Sequence, residues 1–148
     1  ECLGGVARTK HLLTAYCGYD SFDYDEGFRG LGQLWCTGQS DDDGDRGGEH
    51  DGGTEPETAT PYATPVIFNA TYIGNGEGRA LTFRDNAGGQ YHNSIFVNWA
   101  KGVDIENLAT EQDSYKQLLD GELALAGDVF WNITAGTDAA NLFTISEE

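Results

Sequence analysis

Apolar residues in this chain come in short runs at alternate positions, separated by turns of glycine and asparagine, and one stretch nearly repeats itself. Asn69-Ala-Thr-Tyr-Ile-Gly74 followed by Arg79-Ala-Leu-Thr-Phe-Arg84 is echoed by Asn93-Ser-Ile-Phe-Val-Asn98 followed by Lys101-Gly-Val-Asp-Ile-Glu106. Each copy is a short strand, a glycine- or asparagine-bearing turn and a second short strand. A unit this small cannot bury its own apolar face, so it must lay that face on a neighbour, which predicts a solenoid. Helical periodicity is missing from the repeats, so the stacked unit is a β coil of about 20–25 residues with rungs about 4.8 Å apart. The expected fold is all-β, a parallel β-helix with a long acidic loop and one short helical insertion.

The same alternation extends outward from the repeats. Leu12–Cys17 and Leu31–Cys36 read as strands, and in Phe22-Asp23-Tyr24-Asp25 aromatics point inward and carboxylates outward. Residues 38–64 hold almost nothing apolar and read as the long acidic loop, with Pro61 and Pro65 leading into Val66-Ile67-Phe68. Within residues 106–122 a helix is predicted over 108–121. Thr110 serves as N-cap, Glu111 and Asp113 occupy the first turn, Tyr115, Leu118 and Leu119 share one face, and Gly121 supplies the stop. Strands resume at Leu123-Ala-Leu125, Asp128–Ile133 and Asn141–Ile145. In the stack Asn69 and Asn93 either form an amide ladder or serve only as turn formers.

Charge narrows the partners. With 25 Asp and Glu against 8 Lys and Arg the formal net charge is −17, which disfavours nucleic acid and anionic lipid. No run of about 20 apolar residues is present to insert into a bilayer. The 148 residues suit one domain, or a fragment of a longer array, since Glu1-Cys2-Leu3 is no translation start and the last strand shows no polar cap. The 3 cysteines fit no metal or haem motif. Cys17 and Cys36 are spaced to face each other on adjacent rungs as a disulfide, with Cys2–Cys17 as the rival pairing and buried thiols as the third reading.

From Asp20 to about Asn107 the chain resembles a group of bacterial secreted and surface proteins of Bacteroidetes type with a right-handed parallel β-helix. The stretches that carry the resemblance are Asp20-Ser-Phe-Asp23, Arg46-Gly-Gly-Glu49-His-Asp51, Asn69-Ala-Thr71-Tyr-Ile-Gly74 and Arg84-Asp85-Asn86-Ala-Gly88 leading into Asn93-Ser-Ile95. Gly48 and Gly52 depart from it, because relatives carry larger residues there. The resemblance implies an extracellular or cell-surface location and brings no catalytic signature.

Three sets of side chains are candidates for chemistry. Asp41, Asp43, Asp45, Glu49 and Asp51, joined by Asp20 or Asp23 from a neighbouring coil, offer the oxygen ligands that Ca²⁺ requires, although Arg46 and Gly52 at positions 6 and 12 rule out an EF-hand. The expected role is a non-catalytic structural or adhesive rod, cation-stabilised and able to associate with itself or with glycans. The alternative is a polysaccharide lyase or hydrolase, in which Asp85 and Asp104 pair across adjacent coils beside Arg84. His11, His50 and His92 lack ligand spacing and read as surface residues. Tyr72, Tyr91, Trp99 and Trp131 are read as core, or as a sugar-stacking platform where exposed.

Overall fold

The computed structural model describes residues 1–53, 55–108 and 113–147. Its chain winds through successive coils of short strands. The first holds β1 (Cys2–Leu3), β2 (Arg8–Lys10) and β3 (Leu13–Ala15), and the second β4 (Phe22–Asp25), β5 (Leu31–Gln33) and β6 (Cys36–Gly38). The third holds β7 (Arg46–Asp51), β8 (Val66–Phe68) and β9 (Thr71–Ile73), and the fourth β10 (Arg79–Arg84), β11 (Gly89–His92) and β12 (Ile95–Trp99). The fifth runs through β13 (Lys101–Glu106), helix α1 (Ser114–Asp120), β14 (Leu123–Ala126) and β15 (Val129–Ile133), before the short helix α2 (Ala139–Leu142) and β16 (Phe143–Ser146). All pairings are parallel and join corresponding strands of neighbouring coils. They form a 6-stranded sheet (sheet A, β1-β4-β7-β10-β13-β16) and two 5-stranded sheets (sheet B, from β2 to β14, and sheet C, from β3 to β15). This is the right-handed parallel β-helix that the repeat and the resemblance predict.

The corners explain the asparagines. Between sheets B and C the chain turns on one residue in the left-handed region, which is His11, Leu34, Asn69, Asn93 and Gly127 in successive coils. A single such residue redirects a strand without a loop, and asparagine tolerates it best after glycine. Asn93 Nδ2 donates to Asn69 Oδ1 at 2.7 Å, so the amide ladder forms. A second ladder lies at the corner between sheets C and A, where Asn132 Nδ2 donates to Asn98 Oδ1 at 2.9 Å and Asn98 Nδ2 to Gly74 O at 2.9 Å. Leu34 splits the predicted Leu31–Cys36 strand into β5 and β6, a correction that follows from its φ of 57°.

Aromatic side chains fill the interior in stacks. Phe22 lies over Trp35 at 4.9 Å and over Tyr72 at 5.3 Å, and Phe96 stacks on Phe130 at 4.8 Å. Three buried rings share a series of polar contacts. His50 Nε2 lies 2.8 Å from the Tyr91 hydroxyl, which lies 3.3 Å from that of Tyr72, and the Tyr24 hydroxyl donates to Gly88 O at 2.6 Å. His50 is therefore a core residue, stacked on Tyr24 at 3.9 Å, and not the surface histidine expected of a loop.

That loop needs the largest correction. Residues 46–51 of the predicted 38–64 loop form β7, a central strand of sheet A, with Gly48 in register with Phe22 and Leu81. The strand supplies almost no apolar side chain because neighbours already fill its space. A Cβ on Gly47 would lie 2.6 Å from Ala80 O, and one on Gly48 would lie 2.5 Å from the His50 ring. Gly52 is equally confined, 2.4 Å from the Asn86 backbone, so the larger residues of the resembling group do not fit at either place.

Helix α1 is shorter than predicted. Its N-cap is Asp113, whose carboxylate accepts from Lys116 N at 2.8 Å, while Thr110 and Glu111 lie outside the described residues. Tyr115 and Leu118 pack on the core as expected, Leu119 faces solvent, and Gly121 ends the helix at φ 83°. The cysteines are free thiols. Register opposes Cys36 to Leu13, which leaves Cys17 beyond the end of β3, and the expected Cys17–Cys36 disulfide is not formed. Among the described residues no helix is long and apolar enough to cross a membrane.

Candidate functional site

In-register stacking turns each outward strand position into a column of side chains, and the three sheets expose different chemistry. On sheet C one column is Leu13, Cys36, Thr71, Ile95 and Val129, and the next is Ala15, Gly38, Ile73, Val97 and Trp131. Sheet B shows Lys10, Gln33, Phe68, His92 and Ala126, with Phe68 stacked on His92 at 4.9 Å. Sheet A concentrates the ionisable groups. Asp23, Glu49, Thr82, Asp104 and Thr144 form its central column, and Arg46, Arg79 and Lys101 form a basic column beside it.

Arginines knit this face together. Arg46 Nη1 lies 2.9 Å from Asp45, 3.2 Å from Glu49 and 3.6 Å from Asp20, and its Nε donates to Thr82 Oγ1 at 3.1 Å. Arg84 reaches Asp51 at 2.7 Å and Glu49 at 3.2 Å, so Glu49 bridges both guanidiniums. Arg79 pairs with Asp104 at 3.0 Å. Asp20 is held in place by Arg46 N, which donates to its Oδ1 at 2.8 Å.

Two carboxyls on this side of the molecule hold their protons unusually well. Burial, aided by the Glu49 carboxylate and opposed by Arg46, pushes Asp20 up to about 7. Asp85 sits at the corner between sheets A and B, where its N–H donates to Glu106 Oε2 at 2.9 Å. Burial and the charges of Asp51, Glu106 and Glu57 push it up to about 6. Asp23, Asp51 and Glu106 are raised by burial as well. Desolvation alone would lower the Arg84 guanidinium, but its bond to Asp51 and the charges around it raise it instead.

The predicted site residues divide between two places. Asp41 and Asp43 are exposed on a turn, where Asp43 N donates to Ser40 Oγ at 3.1 Å and Asn75 Nδ2 to Ser40 O at 2.9 Å. Asp20, Asp23, Asp45, Glu49 and Asp51 lie on or beside sheet A, with Arg46 and Arg84 among them. Among the described residues no group of three or more His, Cys, Asp or Glu side chains is placed to share a metal ion. The chemistry agrees, because guanidiniums occupy the positive positions that a cation would take. Nor do Asp85 and Asp104 pair: Asp104 is in register with Thr82 and bound to Arg79, and the neighbour of Asp85 is Glu106. Arg84 is committed to Asp51 and Glu49. Sequence reading missed Arg46, Arg79 and Glu106. The signal of the two arginines was present in the repeat, since Arg46, Arg79 and Lys101 each open the sheet A strand of their coil. Tyr72, Tyr91 and Trp99 are core, and only Trp131 of the proposed aromatic platform is exposed.

The chain matches the pectate-lyase-like β-helix domain family over residues 1–147 and belongs to that family. Comparison with curated proteins and with solved structures gives no match.

Proposed function

We propose that this chain is a non-catalytic, extracellular β-helix of structural and adhesive role that meets glycans through the outer face of sheet A. The observation that supports this reading is the closed ion-pair network. Arg46, Arg79 and Arg84 are each neutralised by carboxylates on their own or adjacent coils, which makes a flat face dense in fixed donors and acceptors. Such a surface suits the hydroxyls of a saccharide chain. It is ill suited to proton abstraction, because its three arginines are already bound and its central carboxylate, Glu49, is held by two of them. Affinity electrophoresis through gels cast with neutral and acidic polysaccharides tests the reading. Retardation by at least one of them is expected, together with its loss in Thr82→Lys, which removes the Arg46 hydrogen bond and inserts an ammonium between Glu49 and Asp104. Unretarded migration on every polymer would refute it.

One observation favours the second reading, a carbohydrate-active enzyme. Asp85, held protonated up to about 6 beside Glu106, has the character of a general acid. Release of reducing ends or unsaturated products by the native chain, abolished in Asp85→Asn, would establish it in place of the first. Calorimetric titration with Ca²⁺ addresses the Asp41–Asp43 turn separately, and saturable heat there would add a cation to either reading.

A further inference from the structure

The outward positions of sheet B hold no carboxylate, in a chain with 25 Asp and Glu. One column is Arg8, Leu31, Val66, Gln90 and Ala124, and beside it runs the column of Lys10, Gln33, Phe68, His92 and Ala126. Between the two columns, over β2, β5 and β8, lies a trough of about 350 Å³, a size found among small-molecule sites. Arg8 and Lys10 flank one end of it, Leu31 and Gln33 its middle, and Phe68 stands at the other end. Its open surface is mostly apolar, since Leu31 is 41% exposed and Phe68 42%. The trough is also rigid. The Phe68 ring is held by its stack on His92, 19° from parallel. Thr9 and Gly32 alternate with the outward residues, so they present their backbone as the floor. Trp35 braces that floor from inside: its Nε1 donates to Thr9 Oγ1 at 2.9 Å, and its ring fills the space of a Gly32 side chain, 2.7 Å from where a Cβ would lie. A ligand would not have to order such a site on binding.

We infer that this trough binds a flat aromatic carboxylate, with its ring against Phe68 and its carboxylate between Arg8 and Lys10. Charge carries the inference together with shape. Arg46, Arg79, Arg84 and Lys116 are each bound to carboxylates, whereas among the described residues neither Arg8 nor Lys10 forms an ion pair. Two residues apart on one strand, they leave the sheet on the same side and close on one anion from both flanks. Two rungs separate β2 from β8, a span of about 10 Å that the long arms of Arg8 and Lys10 shorten. The carboxylate therefore stands off its ring by a short spacer. A saccharide would strand hydroxyls on the apolar middle of the trough, where Gln33 is the one amide. A peptide would find no backbone partner there, because the floor strands already bond to one another in the ladder. Sheet A takes no part in this site.

Titration of the whole isotope-labelled chain with trans-cinnamate, followed by NMR, tests it. Saturable shifts are expected at the amides of Arg8–Lys10, Leu31–Gln33 and Phe68, with Kd on the order of 1 mM for a ligand of about a dozen heavy atoms in an open site. Cinnamamide keeps the ring without the charge, and glucuronate keeps the charge without the flat ring. Each should bind roughly fivefold more weakly or worse. Arg8→Gln combined with Lys10→Gln should weaken cinnamate by roughly fivefold or more and leave cinnamamide unchanged, while Phe68→Ala should weaken both. These three side chains point outward, and circular dichroism confirms that each variant is folded. The absence of saturable shifts at these amides, up to about ten times the expected Kd, would overturn the proposal. So would glucuronate binding as tightly as cinnamate, which would make the trough a saccharide site, or a cinnamate affinity unmoved by loss of both cations.

Discussion

Leu34 and Asn69 hold the same left-handed backbone conformation on adjacent coils, yet only asparagine suits it. A β-carbon there meets the following carbonyl, at a cost of roughly 1–2 kcal/mol, which asparagine offsets by local hydrogen bonding. Leu34→Asn is expected to extend the ladder by one rung and to raise stability by about 1 kcal/mol, read as a higher midpoint in urea. His50 shows the opposite relation between residue and site. Complete burial lowers its imidazole to about 3, against an ordinary value of 6.5. The native state therefore refuses a proton that the unfolded chain accepts, and His50 destabilises progressively as pH falls from about 6.5 to about 3. His50→Gln should flatten the acid limb of a plot of melting temperature against pH. An unchanged limb would assign acid sensitivity to other groups.

At the scale of elements, β7 is where sequence and structure part most. Arg46-Gly-Gly-Glu-His-Asp51 contains no aliphatic residue, so a scan for apolar alternation passes over it. The pattern of acid, ring, acid was nevertheless legible: Glu49-His50-Asp51 repeats Asp23-Tyr24-Asp25, and the register places Asp23 beside Glu49 and Tyr24 beside His50. The two glycines hid it, because their missing side chains are supplied by Trp99, Tyr72 and His50 from elsewhere in the fold. Such borrowing is visible only in three dimensions. Gly47→Ala should cost on the order of 1–3 kcal/mol by overpacking, measured by chemical denaturation, even though alanine favours the unfolded state less than glycine does. The asparagine ladder, by contrast, was one of the two readings that the repeat offered, and the 2.7 Å bond from Asn93 to Asn69 decides for it. The seven carboxylates proposed for Ca²⁺ were found together in part, but of the arginines that divide them only Arg46 lies in the same segment, and Arg84 comes from the next coil. Spacing along one segment cannot show a partner from another coil.

At the scale of the whole molecule, the ionised face of sheet A sets the response to pH. Asp20 and Asp85 bind protons more tightly folded than unfolded, with native values of about 7 and about 6 against an ordinary 3.8. Their contribution is fully present below about pH 4 and lost as pH rises through these values. His50 acts in the reverse sense, so stability should peak in mild acid and decline toward neutrality. Asp20→Asn should remove much of the decline between about pH 5 and 7 in a melting-temperature series. Persistence of the full decline would attribute it to the overall negative charge. The fold also keeps its longest excursions in one place: the segment between β7 and β8 and the one carrying α1 both leave sheet A and rejoin at sheet B, where coils two and four make the same passage through Glu26–Gly30 and Asp85–Gly88. The neighbouring coils continue in register on either side of them. Segment length at this corner is therefore free to vary while the rungs stay fixed, which makes it a natural display position. A foreign peptide spliced between β7 and β8 would be carried on a rigid frame at the border of the charged face, much as a tool is clamped at the end of a bench.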